Sequence, residues 1–530
     1  RQRNHSTQNQ MQQFVEMQFA ELQTALDEFQ DYKKMLYVDI SLFDPIRQFK
    51  PELLKSPGLN IIQVCDVSRI DKETKVLVLA RNNDIPAITN LLQACSKKLQ
   101  EGNKVQLFVC PYLYQQHYQS FEQSKVRNLF QDELLSLYCF PTYDSNLFSM
   151  SLPSTVFRNS LSSTVLYSNL LLKIAATLGT AKTTSARGTL AVQTLQSFQR
   201  LADEQRLEFQ VGFDHIIILD RQVDPFSFLL QGQTYAEQLA AHFGFKNNII
   251  EKRYMTSQLD SVFDMYKHKN CNQVFDTISD LNKELIKTRD ECKQNTSSSL
   301  PASVIKQNLL RLSKLDRQQT ELERHVGYCQ ALKKEKRTYQ YMEYYYLQKE
   351  IISGKFKFDL LLNLMLSATF TFEQQLGLLL LFCQCCKPKT QEIEKAKRVL
   401  VEQFGPKAEL ALLANDLQNK QLLEMNKIYG LFCDDNLKKE DSLNQSFGFV
   451  QPLSVKIVES ILQQQQKKDG LPSYEVRKEG EADKILVIMI GPLTHGEAAA
   501  FDVLRKQETN LDVICTELCD GAEILRMMSE

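Results

Sequence analysis

The segment from Phe213 to Tyr235 constrains the fold of this 530-residue chain more than any other. Its apolar run, Ile216 to Leu219, is too short for a typical helix and is apolar on both faces. Such a run predicts a buried parallel strand. Asp220-Arg221 ends the run, and Asp224-Pro225 and Thr234-Tyr235 follow. Because α/β proteins build sites at the carboxyl ends of such strands, the segment marks either an active edge or a family motif.

The first 145 residues show strands that alternate with helices. An apolar stripe from Met11 to Leu36 predicts an amphipathic helix. Short apolar runs then predict five strands, and helices of this length between strands imply a parallel sheet covered on both faces. The predicted strands are Met35–Val38, Ile61–Cys65, Val76–Leu79, Val105–Cys110 and Tyr138–Phe140.

The rest of the chain predicts one α/β domain that is interrupted by helices. The pattern is helical from about Ser160 to Leu207, and it becomes helical again for roughly two hundred residues after Tyr235. Strand signals return at Ile485–Ile490 and Leu511–Thr516. The polar residues 463–483 predict an exposed, mobile loop. The late strands would complete the sheet that begins at Ile216.

Composition excludes several classes of function. The chain has 63 basic and 64 acidic residues, a net charge of -1, so no overall field attracts nucleic acid or anionic lipid. Its 13 cysteines are scattered, which favours free thiols in a reducing compartment. The longest apolar run, Leu376–Cys383, is far shorter than a bilayer span, and no secretory leader pattern opens the sequence. We therefore expect a soluble, cytoplasmic protein.

Asp220, Arg221 and Asp224 are the first candidates for chemistry. They could serve as acids and an electrostatic clamp in a hydrolase. The alternative is a structural ion pair with a turn at the end of the strand, since Asp224-Pro225 is good turn chemistry. No nucleophile–base pair is found nearby in sequence. The structural interpretation is therefore preferred, and no catalytic residue is assigned.

The segment Gly491-Pro492-Leu493-Thr494-His495-Gly496 is the second candidate, because glycines between a strand and a helix can bind phosphate. It lacks the spacing of the known phosphate-binding loops, and Pro492 removes one amide. Thr494 with Glu497 instead predicts a capping box at a helix start. A nucleotide- or phosphate-dependent enzyme remains the rival hypothesis, with its site at Asp220, Arg221 and Gly491.

Metal and cofactor binding have little support in the sequence. Cys383 and Cys386 form a single CxxC, and zinc would usually require a second pair. This pair continues the leucine-rich run before it, so buried helical thiols are the preferred interpretation. We predict no metal and no cofactor.

A charged amphipathic stretch after residue 301 is the third candidate. Ile305, Leu309, Leu312, Leu315, Leu322 and Val326 recur at helical spacing, with Lys306, Arg311, Lys314 and Arg317 among them. The residues Asn295 to Pro301 before it are typical of the tip of a helical hairpin. The stretch could be a solvated face, or a surface that binds another amphipathic helix. These residues alone leave both interpretations open.

Three motif segments together resemble the SM (Sec/Munc) family of SNARE-binding proteins in vesicle fusion. The first two are like the family's LDR-x-x-D…TY and GG-x-T-x-x-E elements, and the third is similar to the PLSVR element of the vacuolar protein sorting-associated protein 33 branch. Pro492 replaces the second glycine, and Lys456 replaces the arginine. The matching residues are Asp220, Arg221, Asp224, Thr234 and Tyr235; Gly491, Thr494 and Glu497; and Pro452, Leu453 and Ser454.

The resemblance implies a fold of class α/β plus α, a three-domain arch. Domains 1 and 2 would hold parallel α/β sheets, and a large helical domain 3 would be inserted into domain 2. The expected bounds are 1–145 for domain 1, 146–250 and 446–530 for the two parts of domain 2, and 251–445 for domain 3. A scaffold built of helices alone is disfavoured by the many predicted strands.

The resemblance also implies the function: no catalysis, but binding of Qa- and R-type SNARE helices along a groove on the helical domain. We place this groove, as a hypothesis, at Leu309, Arg311, Leu312, Lys314 and Arg317. For the branch it implies a HOPS or CORVET tethering complex, a helical partner subunit, and peripheral attachment to endosome, lysosome or vacuole membranes through partners. An SM protein of another trafficking step is the alternative within the family.

Overall fold

The computed structural model describes most of the chain. The described residues are 10–29, 32–55, 58–81, 85–99, 103–111, 115–152, 161–256, 259–294, 302–367, 369–413, 421–433, 446–465, 467–507 and 510–528. The predicted hairpin tip, residues 295–301, lies outside them.

The first α/β unit is a five-stranded parallel sheet in the order β2-β1-β3-β4-β5. Apolar side chains on both faces of its central strands are buried, as a sheet covered by helices requires. Its strands are β1 (Lys34–Val38), β2 (Leu59–Ile61), β3 (Lys75–Arg81), β4 (Val105–Cys110) and β5 (Phe130–Leu134), and its helices are α1 (Gln10–Asp27), α2 (Ile40–Phe49), α3 (Ile85–Ser96) and α4 (Gln115–Gln123).

The second α/β unit has a seven-stranded sheet in the order β12-β8-β9-β13-β15-β7-β6, parallel except at its two edges. Its strands are β6 (Phe140–Pro141), β7 (Leu147–Ser149), β8 (Thr180–Arg187), β9 (Val211–Asp220), β12 (Ser473–Arg477), β13 (Ile485–Ile490) and β15 (Leu511–Cys515). Its helices are α5 (Leu161–Leu178), α6 (Thr189–Glu204), α7 (Tyr235–Phe243), α17 (Leu453–Leu462), α18 (His495–Gln507) and α19 (Gly521–Met527).

A helical block separates β9 from β13 in sequence, yet the two strands pair directly, with Ile217 opposite Val487. The interruption predicted from periodicity is therefore present. The helices are α8 (Ser261–Tyr266), α9 (Cys271–Gln294), α10 (Ala302–Lys336), α11 (Tyr339–Ile352), α12 (Phe358–Leu366), α13 (Phe372–Cys386), α14 (Thr390–Phe404), α15 (Pro406–Leu413) and α16 (Gln421–Tyr429). Two small strand pairs are also present: β10 (Ile249–Ile250) with β11 (Arg253–Tyr254), and β14 (Leu493–Thr494) with β16 (Leu518–Cys519).

Helices α9 and α10 run antiparallel and form a hairpin. Arg289, late in α9, donates to Gln319 in the middle of α10. Asp276, early in α9, pairs with Lys333 near the end of α10 at 3.2 Å. Because α10 is 35 residues long, it extends about 52 Å at 1.5 Å per residue.

Several strand predictions were wrong. The strand predicted at Tyr138–Phe140 to end the first sheet is instead β6, at the edge of the second. Helix was predicted over β8, whose polar sequence TAKTTSAR gives no apolar signal. The predicted loop 463–483 contains β12, an exposed antiparallel edge strand paired with β8. Both missed strands owe their structure to hydrogen bonds with neighbours rather than to apolar patterning.

The structure also shows the state of the cysteines and the apolar character of the helices. All thirteen cysteines lie in the described part of the chain and are free thiols. Among the described residues, none of the helices combines the length and apolar character that crossing a membrane requires.

Candidate functional site

The first two motif segments meet at the carboxyl edge of the second sheet. Arg221 directly follows β9, and Glu497 lies in the first turn of α18. The Arg221 Nη1 donates to Glu497 Oε1 at 2.9 Å and to Oε2 at 2.8 Å. The two side chains are 2% and 0% exposed. A charge-assisted contact of this kind in a buried setting is strong, and it ties two distant segments together.

The third motif segment joins the same cluster through Asp224 and Ser454. The Asp224 Oδ2 accepts the backbone N–H of Ser454 at 2.9 Å, at the start of α17, and the Ser227 hydroxyl at 2.6 Å. The Ser454 hydroxyl in turn donates to Glu497 Oε1 at 2.8 Å. The three segments that carry the family resemblance thus form one hydrogen-bonded network, which we call the motif network: Arg221, Asp224, Ser454, Thr494 and Glu497.

The capping box predicted at Thr494 and Glu497 is present. The Glu497 backbone N–H donates to Thr494 Oγ1 at 3.1 Å, and the Thr494 backbone N–H donates to Glu497 Oε2 at 3.2 Å. One carboxylate therefore caps its own helix and neutralises Arg221. Glu497 is fully buried, so both tasks are needed to offset the cost of removing its charge from water.

Gly491 is required by its position against Arg221. Its φ of 142° is a conformation that other residues rarely adopt, and a Cβ there would lie 2.5 Å from Arg221 Cβ. The next residue, Pro492, accepts from Arg221 Nη1 through its carbonyl at 3.4 Å. The glycine of this segment therefore makes room for a buried arginine rather than for a phosphate group.

The edge proposed as an enzyme site is closed by protein contacts. Asp220 is 0% exposed, and its carboxylate accepts the backbone N–H groups of Leu190 at 2.9 Å and Gln222 at 3.0 Å. Burial raises its pKa. Arg221 packs over the Phe228 ring and is held between Asp224 and Glu497; although burial opposes its charge, these carboxylates raise its pKa. Asp220 and Arg221 are thus structural residues with no surface open to a substrate.

The residues predicted to bind partner helices lie on α10. Arg311, Lys314 and Arg317 are exposed and form a row along one side of the helix. Leu312 is half-buried and lies seven residues before Gln319, which accepts from Arg289 of α9. The side chain of Leu309 falls outside the described residues. The structure thus brings the three cations together but turns the predicted apolar component partly inward.

Leu310 is an additional residue of this surface that is not among the predicted ones. It is 65% exposed. It stands four and seven residues before Lys314 and Arg317, so the three side chains share one helix face. The helical spacing of these residues is visible in the sequence, but only the folded chain shows that Leu310 is more exposed than the leucine at position 312. We call Leu310, Arg311, Lys314 and Arg317 the α10 surface.

A protein-family model matches this chain over most of its length. The model of the Sec1 family matches residues 59–527. The chain belongs to the Sec1 family. The SM resemblance drawn from the three motif segments is thereby confirmed at the level of the family. A search of curated proteins found no significant match.

Solved structures of other SM proteins share the fold of this Sec1-family chain. The SM protein Vps45 in complex with the Qa SNARE Tlg2 matches with a TM-score of 0.63 at 14% identity, covering 97% of each chain. The Unc18–syntaxin 1 complex from Monosiga brevicollis matches with a TM-score of 0.63 at 13% identity and 98% coverage of both. Sly1p with an N-terminal peptide of Sed5p gives 0.52 at 14% identity, covering 96% of this chain and 93% of that one. The predicted three-domain fold is confirmed.

Glu237 is a buried acid of the Sec1-family chain that is not among the predicted site residues. Its Oε2 accepts the backbone N–H of Gly496 at 2.8 Å in the first turn of α18, and its own N–H donates to Thr234 Oγ1 at 3.3 Å. Burial and the nearby Asp520 raise its pKa to about 8. The Thr-x-x-Glu spacing from Thr234 was the local signal for a cap, but its link to α18 depends on tertiary structure.

A group of possible metal ligands is likewise formed only in the folded chain. One ligand atom each from Asp144, His268 and Asp502 lies within 4.8 Å of the others. His268 Nε2 is 2.8 Å from Asp144 Oδ2, and Lys267 Nζ is 3.6 Å from the same oxygen. Arg505 pairs with Asp502. Since cations already neutralise both carboxylates, the cluster is an ion-pair network. Of the predicted CxxC pair, Cys383 is buried in α13, whereas Cys386 is half-buried and its Sγ donates to the carbonyl of Ile351 at 3.4 Å.

Proposed function

We infer that this Sec1-family protein binds the helical segments of SNARE proteins and positions them for assembly. One observation supports this most directly: α10 presents Leu310, Lys314 and Arg317 on a single exposed face of a long hairpin. An apolar side chain flanked by cations suits an amphipathic helix that carries acidic residues beside its apolar stripe. The similar structures of Vps45 with Tlg2 and of Unc18 with syntaxin 1 lend further support.

The mechanism is template binding, which requires no covalent chemistry. A disordered segment loses conformational entropy when it folds on a partner. Starting a helix is the costly step, with a nucleation constant of about 10⁻³, or roughly 4 kcal/mol. A surface that holds the first turns in place removes much of this cost. The α10 surface, with Leu309 and Leu312 from the sequence prediction, is our proposed site, on the domain 3 that we place at 251–445.

Within the family we assign the chain to the vacuolar protein sorting-associated protein 33 branch. The segment Pro452 to Lys456 supports this assignment, and Ser454 is the member that enters the motif network. The chain would then be the SM subunit of a HOPS- or CORVET-type tethering complex. It would dock on a helical partner subunit and attach peripherally, from the cytoplasm, to endosome, lysosome or vacuole membranes. The SNAREs bound would be of the Qa and R types.

Another trafficking step is the second candidate. Pro225 is more like other SM branches, and Lys456 replaces the arginine of the branch element. The similar structures include the SM proteins Vps45, Unc18 and Sly1p. Affinity purification of the full chain at native salt, followed by mass spectrometry, separates the two. Recovery of a tethering complex supports the branch, whereas recovery of SNAREs without one supports the alternative.

Charge reversal tests the α10 surface. The double variant Arg311→Glu with Lys314→Glu should bind a fluorescent Qa-SNARE segment at least tenfold more weakly than the wild type, because two attractive contacts become repulsive. The matched control reverses Lys97 and Lys98, two exposed lysines at the end of α3 in the first α/β unit. Fluorescence anisotropy measures binding, and circular dichroism checks the fold. Wild-type affinity in the hairpin variant would refute the placement.

A further inference from the structure

We propose that Asp260, His325 and Tyr235 form a buried joint that fixes the direction of the α9–α10 hairpin against the second α/β unit. His325 is thereby a positioning residue for helix binding, although it lies far from the α10 surface. This inference rests on the proposed function for its biological role, but the joint itself can be tested without any partner.

The geometry of the joint is closely defined. The Tyr235 hydroxyl lies 2.8 Å from His325 Nδ1, and His325 Nε2 lies 3.0 Å from both carboxylate oxygens of Asp260. All three side chains are at most 1% exposed. A polar chain of this kind in the interior is stable only when every member has partners, so it specifies one relative placement of its three elements.

Hydrogen-bond accounting assigns the protons. Burial opposes the charge on Asp260, but its hydrogen bond with His325 and the nearby Arg324 lower its pKa, so it accepts as a carboxylate. Burial raises the pKa of Tyr235 well above its usual value, so it keeps its proton. His325 therefore donates from Nε2 to Asp260, while its Nδ1 lies 2.8 Å from the Tyr235 hydroxyl, which also interacts with Cys329. The carboxylate, the imidazole and the hydroxyl are thus linked in one buried chain of contacts.

The three residues belong to three different elements. Tyr235 is the first residue of α7 and part of the family's Thr-Tyr motif. Asp260 caps α8, accepting the Phe263 N–H at 2.8 Å. His325 lies on α10, toward the end at which the hairpin meets these helices. The joint therefore gives the motif tyrosine a task that the motif network at the sheet edge does not include.

Further contacts hold both arms of the hairpin at this end. Arg324 Nη1 approaches Asp260 Oδ2 at 3.4 Å, beside His325 on α10. The first residue of α9, Cys271, donates its backbone N–H to the carbonyl of Gln233 at 2.8 Å, two residues before Tyr235. The segment Gln233 to Tyr235 thus forms hydrogen bonds with both helices of the hairpin.

Because α10 is long, a small tilt of the helix at the joint would displace the α10 surface by a large distance. Fourteen residues separate Arg311 from His325, which is about 21 Å of helix at 1.5 Å per residue. A tilt of roughly 10° at the joint would therefore displace Arg311 by about 4 Å. That displacement exceeds the tolerance of a hydrogen bond or ion pair, so loosening the joint weakens binding without touching the contact residues.

Distance measurements on the free full-length chain test the joint. Nitroxide labels are attached through p-acetylphenylalanine at Gln196, exposed on α6, and at Asp316, exposed on α10, which leaves the native thiols untouched. Double electron–electron resonance then compares Tyr235→Phe and His325→Leu with the wild type. Both variants should broaden or shift the distance distribution. His325→Gln, which keeps a donor and an acceptor, should restore most of it.

The matched control is Tyr341→Phe. Tyr341 also donates to a residue of α7, Gln238 Oε1 at 3.1 Å, but from α11 and not from the hairpin. It should leave the distribution unchanged. If Tyr235→Phe and His325→Leu also leave it unchanged, the joint is refuted. Should His325→Leu fail to fold, Tyr235→Phe, which removes a single oxygen, still decides the question.

Binding of the fluorescent SNARE segment separates the joint from the proposed function. We expect Tyr235→Phe to weaken binding about fivefold, and His325→Leu more than tenfold, with His325→Gln close to wild type. Broadened distances with unchanged affinity would retain the joint but refute His325 as a positioning residue for binding. If the wild type binds no SNARE segment, the proposed function falls, while the distances still decide the joint.

Discussion

Arg221 and Glu497 stand on opposite sides of the helical block in sequence and form a buried ion pair, with Nη1 2.8 Å from Oε2. Their contact closes the second α/β unit at the edge where β9 and β13 end side by side. Asp224, from the same segment as Arg221, joins the network, and Ser454 joins it from a third segment. The motif residues therefore form a tertiary contact. Substitutions at these residues are best tested by their effect on the free energy of unfolding.

Replacing Arg221 by leucine should destabilise the protein by about 3–5 kcal/mol, because Asp224 and Glu497 would stay buried without their cation. Urea denaturation followed by circular dichroism measures the loss. Arg200→Leu is the control, since Arg200 is an exposed partner of Glu204 at 3.7 Å and such pairs contribute about 0–1 kcal/mol. Equal stability of the two variants would mean that the ion pair contributes little.

Gly491→Ala should also destabilise, since its added Cβ meets Arg221 Cβ at 2.5 Å and its φ is 142°. Gly470→Ala is the matched control: its φ is also positive, at 70°, but no atom lies within 4 Å of the added Cβ. The control should lose about 1 kcal/mol from backbone strain alone. We expect the loss at Gly491 to exceed it by about 1–3 kcal/mol, the range for overpacking. Similar losses in the two variants would contradict the steric account.

The buried carboxyl of Glu237 should make stability fall as pH rises. Its folded pKa of about 8 lies above the ordinary value of 4.5 for a glutamate, so between these values the folded state keeps a proton that the unfolded state has released. Stability is then lost at up to about 1.4 kcal/mol per pH unit. Glu237→Gln should remove this slope while keeping an acceptor for Gly496.

The effect is measured between pH 6.5 and 8 as the difference in slope between the wild type and Glu237→Gln. Glu517, whose pKa burial raises to about 7, adds a slope of the same sign to both proteins. Burial lowers the pKa of His495 to about 3, so that residue contributes a slope of the opposite sign, confined to pH values below 6.5. The free energy of unfolding should be measured from urea titrations at several pH values within the range. An unchanged slope in Glu237→Gln would exclude this carboxyl as its source.

The α10 surface should have separable apolar and ionic parts. Leu310→Ala should weaken binding of a SNARE segment by about 1–2 kcal/mol, or roughly 5- to 30-fold, at any salt concentration. The loss in Arg311→Glu with Lys314→Glu should shrink as salt rises, because the Debye length falls from about 10 Å at 0.1 M to about 3 Å at 1 M. Leu413→Ala, at a leucine 78% exposed on α15, is the control. If Leu310→Ala and the double charge-reversal variant showed the same salt dependence of binding, the surface would not have separate apolar and ionic parts.

Features that depend on local sequence were predictable, whereas features that depend on tertiary contacts were not. Apolar runs such as β9 and β13 were predictable, because a strand buried on both faces needs side chains of that kind. The capping box at Thr494 was predictable for a similar reason, since its partner is three residues away. Strand β8 was not, because its threonines and serines become strand only between β9 and β12.

The side-chain clusters were the least predictable features. Arg221 and Glu497 were each singled out, but nothing local paired them. Neither Glu237 with Gly496 nor His325 with Asp260 leaves a trace at short spacing, since each contact joins elements that only the fold brings together. On α10 the structure places Arg311, Lys314 and Arg317 on one exposed side of the helix, and their role in binding stays a prediction. Leu310 was not predicted, because the sequence of one helix does not distinguish an exposed leucine from a leucine that packs against a neighbouring helix.

The pairing of β9 with β13 also has a consequence for synthesis on the ribosome. About 260 residues follow β9 before β13 emerges, which at roughly 5–20 residues per second takes on the order of 15 to 50 s. Throughout that interval the nascent chain carries the unpaired apolar edge of Ile216 to Leu219. A stop codon anywhere in the insertion would leave this edge permanently open to aggregation. Truncated products should accordingly depend on chaperones and be degraded rapidly.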